Sequence, residues 1–439
     1  MTVTQNLMGL GLKVLNRLGG AKALDDPKLR KTATAVLKTG AATGFRLIGT
    51  VNRQFKSVRG PNKALRPGAA STDLFDLTPS DEQQMMRDTL AGFAAEQLRP
   101  NAQAADTACA TPKAILQAAA ELGIGSMQVH EELGGVGGAE RSVVTNAIIA
   151  EALAQGDLGM AVACLAPVGV AAALAEWGTA QQQSTYLSSF IDEKAPVAAI
   201  AVLEPRPLFD PFKLSTSARR TDAGGYVLSG EKSLVPMAAS AELFLVAAST
   251  THGPQLFIVE SGAKGIHITA EPAMGLRAAA TARVRFDNVQ LNASALLGGG
   301  EGDFSYENFI ARSRLAWCAL AVGTSQAAQD YLVTYCNERI AFGEPISHRQ
   351  AVAFNISNIA IETDGMRLLT WRAAALAAAG KPFVREAALA RRLCADKGTQ
   401  IGADAVQLLG GHGFVKEHPV ERWYRDLRAV GIMEGGLLL

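Results

Sequence analysis

The chain is short of aromatic residues, of cysteines at pairing or metal-binding spacing, and of net charge. Phe, Trp and Tyr make up 6% of its 439 residues. With alanine abundant, that balance favours helix–helix packing over large sheets. The five cysteines (Cys109, Cys164, Cys318, Cys336, Cys394) are odd in number and have no CxxC spacing. They exclude a disulfide framework and a zinc site, and they fit a reducing compartment. Each reads as a small buried apolar residue, and no metal site is expected. No uncharged apolar run of about 18 residues is expected to span a membrane. A secretory leader is not expected either, because no compact apolar run is followed by a small-residue cleavage site. The expected location is cytoplasmic.

What is present is unevenly placed. Net charge is +1, yet residues 1–66 carry thirteen Lys and Arg against Asp25 and Asp26, which is +11. The rest of the chain is therefore at 1 − 11 = −10. Within this basic arm, Leu7, Leu10, Val14 and Leu18 share one helical face, as do Phe45, Ile48, Val51 and Phe55. The arm reads as amphipathic helices that meet an anionic membrane surface at its periphery or a protein partner. Only Phe45 and Phe55 supply aromatics and neither is interleaved with basic residues, so no nucleic-acid partner is expected. Residues 57–72 are rich in Gly, Pro and Ser and read as a linker.

The body starts near Leu77, where Thr78 and Pro79 suit a helix cap and first turn. Helical periodicity runs to about residue 195. Short β-rich stretches then follow at 198–206, 226–232, 242–249, 255–260, 265–271 and 282–291, bounded by Gly, Pro and Asn. From 301 to 430 the period is helical again. This order implies an α+β fold, mainly α: a helical N-terminal domain, a central antiparallel β domain and a C-terminal helical bundle. The expected boundaries are an extension with linker at 1–72, then domains at 73–196, 197–296 and 297–439.

Several stretches, in order, resemble the acyl-CoA dehydrogenase family. Residues 122–138 (LGIGSMQVHEELGGVGG) are similar to its Leu-Gly…Pro-Glu-Glu-Tyr-Gly-Gly segment. Residues 274–291 resemble its Met-Gly-x-Arg…Phe-x-x-Val strand pair. Residues 337–350 (NERIAFGEPISHRQ) match Arg-x-x-Phe-Gly-x-x-Ile-x-x-x-Gln, and 407–426 match Gln-x-x-Gly-Gly-x-Gly…Pro-Val-Glu-Arg…Arg-Asp. Residues 432–436 (IMEGG) resemble Ile-Tyr-Glu-Gly-Thr. The resemblance covers residues ~75–436 and leaves the basic arm outside.

The resemblance implies a flavoprotein that desaturates an acyl-CoA thioester between its α and β carbons, with FAD as cofactor. Glu434 stands where the family has its proton-abstracting base. Such a base needs a pKa raised toward neutrality, which burial against an acyl chain and a flavin provides. Ile432, Met433, Gly435 and Gly436 around it suit burial and close backbone approach. Arg339, Phe342 and Gln350, with Gln407, Gly410 and Gly411, match the family's contacts to the flavin of a neighbouring subunit. Arg339 offers a planar fork of donors to a diphosphate, and glycines admit a backbone close to one. A homodimer or homotetramer is therefore implied, with electron-transfer flavoprotein or a similar protein as electron acceptor. Arg314 and Gly435 are the implied substrate contacts. Tyr424, Arg425 and Asp426 would fix the loop leading to Glu434, and Arg277 reads as a structural ion pair.

Two motifs depart from the family. Its Glu-Pro-Gly-x-Gly-Ser-Asp is here Glu204-Pro205-Arg206-Pro207-Leu208-Phe209-Asp210. Its Lys-x-Trp-Ile-Thr-Asn is here Lys232-Ser233-Leu234-Val235-Pro236-Met237, and Pro236 brings neither an N–H nor a hydroxyl to a flavin. These changes keep a second reading open: a catalytically silent or altered homologue that serves as a partner subunit or scaffold.

Overall fold

The computed structural model describes residues 77–137, 142–191, 195–300 and 304–439. The basic arm and its linker lie outside the described residues. Contacts divide the chain into two units, Met1–Leu74 and Phe75–Leu439, and the elements below belong to the second.

Helix α1 (Asp81–Phe93) starts on Ser80 rather than on the expected Thr78. The Ser80 hydroxyl accepts the Gln83 N–H, and the Gln83 side chain accepts the Ser80 N–H, at 3.1 and 3.0 Å. This reciprocal pair satisfies two orphan amides at once and sets the start. Through one π turn the chain enters α2 (Arg99–Ala108), which ends on Cys109 in the left-handed region at φ 54°. Cys109 is accordingly only half-buried, whereas the other four cysteines are buried as expected.

Helices α3 (Lys113–Glu121), α4 (Val143–Ala154), α5 (Leu158–Trp177) and α6 (Ala180–Tyr186) complete the first helical layer. Helices α4 and α5 are apolar on every side, the mark of helices buried all round. Helix α5 overturns the expectation that no run could span a membrane. Among the described residues it is long and apolar enough by length and composition, and its apolar window is 89% buried within the protein. The Asp157 carboxylate caps α5 by accepting the Met160 N–H at 2.9 Å.

A seven-stranded sheet follows: β1 (Ala198–Ala201), β2 (Ser217–Arg220), β3 (Tyr226–Val235), β4 (Leu243–Thr250), β5 (Gly253–Glu260), β6 (Ile266–Ala270) and β7 (Ala282–Leu291). The strand order is β1-β4-β2-β3-β7-β6, with β5 on β4. Most pairs are antiparallel, but β1 and β2 run parallel to β4. A long excursion carrying β2 and β3 joins β1 to β4, so no hairpin forces them antiparallel. Strand β7 alternates Ala282, Val284 and Phe286 inward with Arg283 and Arg285 outward, the period-2 pattern of a half-buried strand.

The C-terminal layer is built on α7 (Tyr306–Glu338), with a small hairpin (Ile340–Ala341 and Glu344–Pro345), α8 (Gln350–Ala378), α9 (Val384–Leu408) and α10 (Val420–Leu427). After α10 and one 3-10 turn the chain runs inward. Met433, Leu437, Leu438 and Leu439 are each buried to 5% exposure or less. Leu438 joins the core that holds Ile200 and Val202 of the β domain side, whereas Leu437 and Leu439 join the core of α4, α5 and α7.

Candidate active site

Glu434 lies on this inward run with its side chain 6% exposed. A carboxylate so buried needs partners, and it has two guanidinium groups. Arg314 on α7 donates from Nε to Oε2 at 3.0 Å and from Nη2 to Oε1 at 2.8 Å. Arg391 on α9 places Nη2 3.0 Å from Oε1 and donates from Nη1 to the Met433 carbonyl at 2.9 Å. Burial holds Arg391 below its ordinary pKa, against the pull of the Glu434 charge. Arg314 thus bonds Glu434 directly, with its own side chain 22% exposed. The Trp317 indole N–H, one turn after Arg314, donates to the Gly435 carbonyl at 2.8 Å. Gly435 and Gly436 take φ of 71° and 82°. A Cβ on Gly435 would come within 2.4 Å of the Val202 side chain, so only glycine lets this backbone lie on the β domain. Gly435 therefore faces the protein interior, and its carbonyl is already taken.

The same junction holds a second buried pair. Lys232 donates to Glu204 and to the Val202 carbonyl, each at 3.0 Å. Burial pulls Lys232 down to about 8. Burial works to raise Glu204, but Lys232 and the Thr216 and Ser215 N–H groups outweigh it and hold the carboxyl below its ordinary value. Tyr306 donates to the Pro211 carbonyl at 3.0 Å. Burial first, then the nearby Glu434 and Glu204 charges, push its phenol far upward.

The departing motifs are filled locally. Arg206 lies 5.5 Å over the Phe209 ring and donates to the Lys213 carbonyl. Leu208 is 99% exposed at φ 51°. Leu234 has φ 50°, and its N–H donates to Glu271 at 2.7 Å. A Cβ on Gly436 would stand 3.3 Å from Pro236.

The other expected residues gather elsewhere. Arg339, Phe342, Gln407, Gly410 and Gly411 line one surface cavity of about 720 Å³, together with Tyr335 and Arg349. Glu434 is not in its lining. Gln350 opens α8 beyond it and is exposed. Phe342 is 95% exposed, with Arg349 5.7 Å over its ring. Among the described residues the Arg339 guanidinium has no ion-pair partner, unlike most arginines of the body.

Behind Glu434, a buried ionic network anchors α10. Arg422 pairs with Asp157 at 3.0 Å, and Arg425 pairs with Asp106 at 2.9 Å and donates to the Met274 carbonyl. Asp426 accepts the Leu276 N–H at 2.7 Å. Arg277 sits 3.7 Å from Asp106, the expected structural pair. Sequence reasoning found Arg425 and Asp426 but missed Arg391, Trp317, Arg349 and Arg422. Trp317 carried a signal, since i,i+3 spacing puts it on one helix face with Arg314. Arg391 carried none, because a charge on an amphipathic helix normally points to water.

Three family models cover the body: "Acyl-CoA dehydrogenase, N-terminal domain" at 80–194, "middle domain" at 199–289 and "C-terminal domain" at 301–436. The mitochondrial short-chain specific acyl-CoA dehydrogenase of Bos taurus is 33% identical over 369 residues, 81% of this chain and 87% of that one. The solved butyryl-CoA dehydrogenase of Megasphaera elsdenii is 29% identical with a TM-score of 0.75, over 82% of this chain and 96% of that one. A chain solved with "Electron transferring flavoprotein of Acidaminococcus fermentans" is 29% identical with a TM-score of 0.74, over the same shares.

Burial sets a testable pH dependence for the α10 anchor. It raises Asp426 to about 8, with the Asp157 charge adding to it, and burial raises Asp157 too. The unfolded chain ionises these groups near their ordinary 3.8. Between about pH 4 and 8 the folded state keeps a proton on Asp426 that the unfolded chain gives up, so stability falls as pH rises, by at most about 1.4 kcal/mol per pH unit. Asp426→Asn keeps an acceptor for Leu276 and removes the charge. Its thermal midpoint is expected to fall less than that of the wild type from pH 5 to 8.5; parallel slopes would refute this assignment.

Proposed function

This chain belongs to the acyl-CoA dehydrogenase family, and on that footing we propose that it is an FAD-dependent acyl-CoA dehydrogenase with Glu434 as its base. The observation that carries the proposal is the placement of Glu434. It is a buried carboxylate on an irregular, glycine-hinged segment where the β domain meets the C-terminal helices, and it is held in a defined direction by α7 and α9. A base that must meet one carbon–hydrogen bond needs such fixing.

The residues fit FAD unequally. The surface cavity fits its diphosphate end: among the described residues Arg339 is a fork of donors with no ion-pair partner, and Gly410 and Gly411 have open space where a Cβ would stand. Arg339, Gln350, Gln407, Gly410 and Gly411 would hold that end, and Phe342 would cover it. At the ring end, the Gly435 backbone rests on Val202 and Gly436 approaches Pro236, so these contacts must part for a ring to enter. When bound, the flavin supplies the acceptor for the hydride leaving the β-carbon.

The chain's own residues do the rest. Glu434 takes the α-proton at a carboxylate oxygen; Oε2, which accepts only from Arg314 Nε, keeps a lone pair for it. Trp317 keeps the Gly435 carbonyl turned inward, so the carboxylate keeps its direction when a guanidinium moves. The Lys232–Glu204 pair locks β1 to β3 behind the site. Electron-transfer flavoprotein or a similar protein is the proposed acceptor. A protein purified with a flavin spectrum that bleaches anaerobically with butyryl-CoA is the expected result. A colourless protein that takes up no added FAD would refute the reading.

The separation of Glu434 from the Arg339 cavity within one chain favours a homo-oligomer in which one copy completes the site of another. Phe354, Ile361 and Leu368 supply a surface for it. They stand at seven-residue intervals on α8 and are 62%, 67% and 57% exposed, so they share a face. Ile361→Glu is expected to lower the oligomeric mass seen by light scattering and to reduce FAD retention. An unchanged mass would remove this face from the interface.

A further inference from the structure

The segment following Glu434 occupies apolar space that a substrate would need. Leu437, Leu438 and Leu439 pack opposite Ile149, Leu165, Val168 and Ala316 and all but fill the slot between them, leaving a void of about 10 Å³. Gly169 on α5 allows the approach: a Cβ there would meet the Leu438 amide nitrogen at 3.0 Å. A separate apolar void of about 90 Å³ is bounded by Leu116, Ala119, Cys164, Pro167 and Met237. Ile124 and Val168 line both spaces. The void is thus the open compartment and the slot is the filled one.

We propose that Leu437, Leu438 and Leu439 set the acyl-chain length this protein accepts, by filling the slot that a longer acyl chain has to enter. The inference rests on the dehydrogenase reading, since an α-carbon at Glu434 fixes where the acyl chain starts. Carbons beyond it must be buried, and the small void takes only a few of them. Three residues span about 10 Å, the reach of a medium-length acyl chain, and their side chains are branched hydrocarbons like the chain they would exclude. A short acyl-CoA binds with the segment in place. A medium-length one competes with it, and the displaced leucines have somewhere to go: Leu439 already reaches the wall of a cavity of about 450 Å³ lined by Gln128, Asn146, Ala172 and Arg312. The three leucines are therefore specificity determinants that touch the substrate only through exclusion.

The test uses the full-length flavin-loaded protein and the non-oxidisable product analogues 2-butenoyl-CoA and 2-octenoyl-CoA. Calorimetry gives their affinities for wild type, Leu438→Ala and, in case that variant misfolds, Leu437→Ala. Wild type is expected to prefer the four-carbon ligand, and the substitution to improve the eight-carbon ligand relative to it by about tenfold, as for one or two methylenes of pocket space. Hydrogen exchange on wild type supplies an arm that needs no variant: the eight-carbon ligand is expected to expose the amides of residues 437–439, and the four-carbon ligand to leave them protected. Equal affinities in wild type with those amides protected under both ligands would overturn the gate and leave the dehydrogenase reading intact. If neither ligand binds any of the flavin-loaded proteins, the dehydrogenase reading fails, and the gate with it.

Discussion

The structure of the site depends on one ion pair, the two-point contact of Arg314 with Glu434, seconded by Arg391. The carboxylate is 6% exposed and the two arginine side chains 22% and 15%. An unpaired charge at that depth is strongly unfavourable. Removing one partner of a buried pair typically costs about 3–5 kcal/mol. The consequence reaches beyond the pair. Arg314 belongs to α7 and Arg391 to α9, so the carboxylate joins two packed helices of the C-terminal layer to the segment that enters the core. Planar guanidinium geometry fixes the direction of the carboxylate as well as its charge. The same bonds are a restraint on chemistry, because each guanidinium bond lowers the basicity of the carboxylate that must accept a proton from carbon.

Two further arrangements follow from that position. Gly435 and Gly436 carry the chain through left-handed conformations so that it can lie on Val202, and the leucines beyond enter the apolar slot. The proposed base, the proposed ring-side contacts and the proposed acyl-side filling are therefore consecutive residues of one short segment. Motion that frees Glu434 also loosens its neighbours. Behind it, Arg422–Asp157 and Arg425–Asp106 hold α10 to the first helical layer, so the segment leaves from a fixed point.

Much of this was legible in the sequence. The run of helices, strands and helices emerged from hydrophobic period alone, and six of the seven strands of the main sheet start or end within a residue or two of the β-rich stretches. Strand β2 was invisible because Ser-Ala-Arg-Arg is polar and exposed at three of four positions, and its place in the sheet is set by β3 and β4 rather than by its own composition. The apolar run of α5 was misjudged because a helix buried all round carries no amphipathic signature. The burial of Glu434 was legible through its flanking glycines and ordered neighbours. Its partners were not: Arg391 lies 43 residues earlier in sequence, and only packing brings α9 against this segment. The pairing of Arg314 with Glu434 was hidden for the same reason, since sequence order does not say which buried charge answers which.

The central claim is that Glu434 is the proton acceptor, and α-proton exchange tests it apart from hydride transfer. A non-oxidisable 3-thia-acyl-CoA is incubated with the flavin-loaded protein in deuterium oxide and its α-carbon followed by NMR. Deuterium is expected to enter that position with the wild-type protein and not with Glu434→Gln. Equal exchange in both proteins, or none with a wild type that binds the ligand, would contradict the role assigned to Glu434.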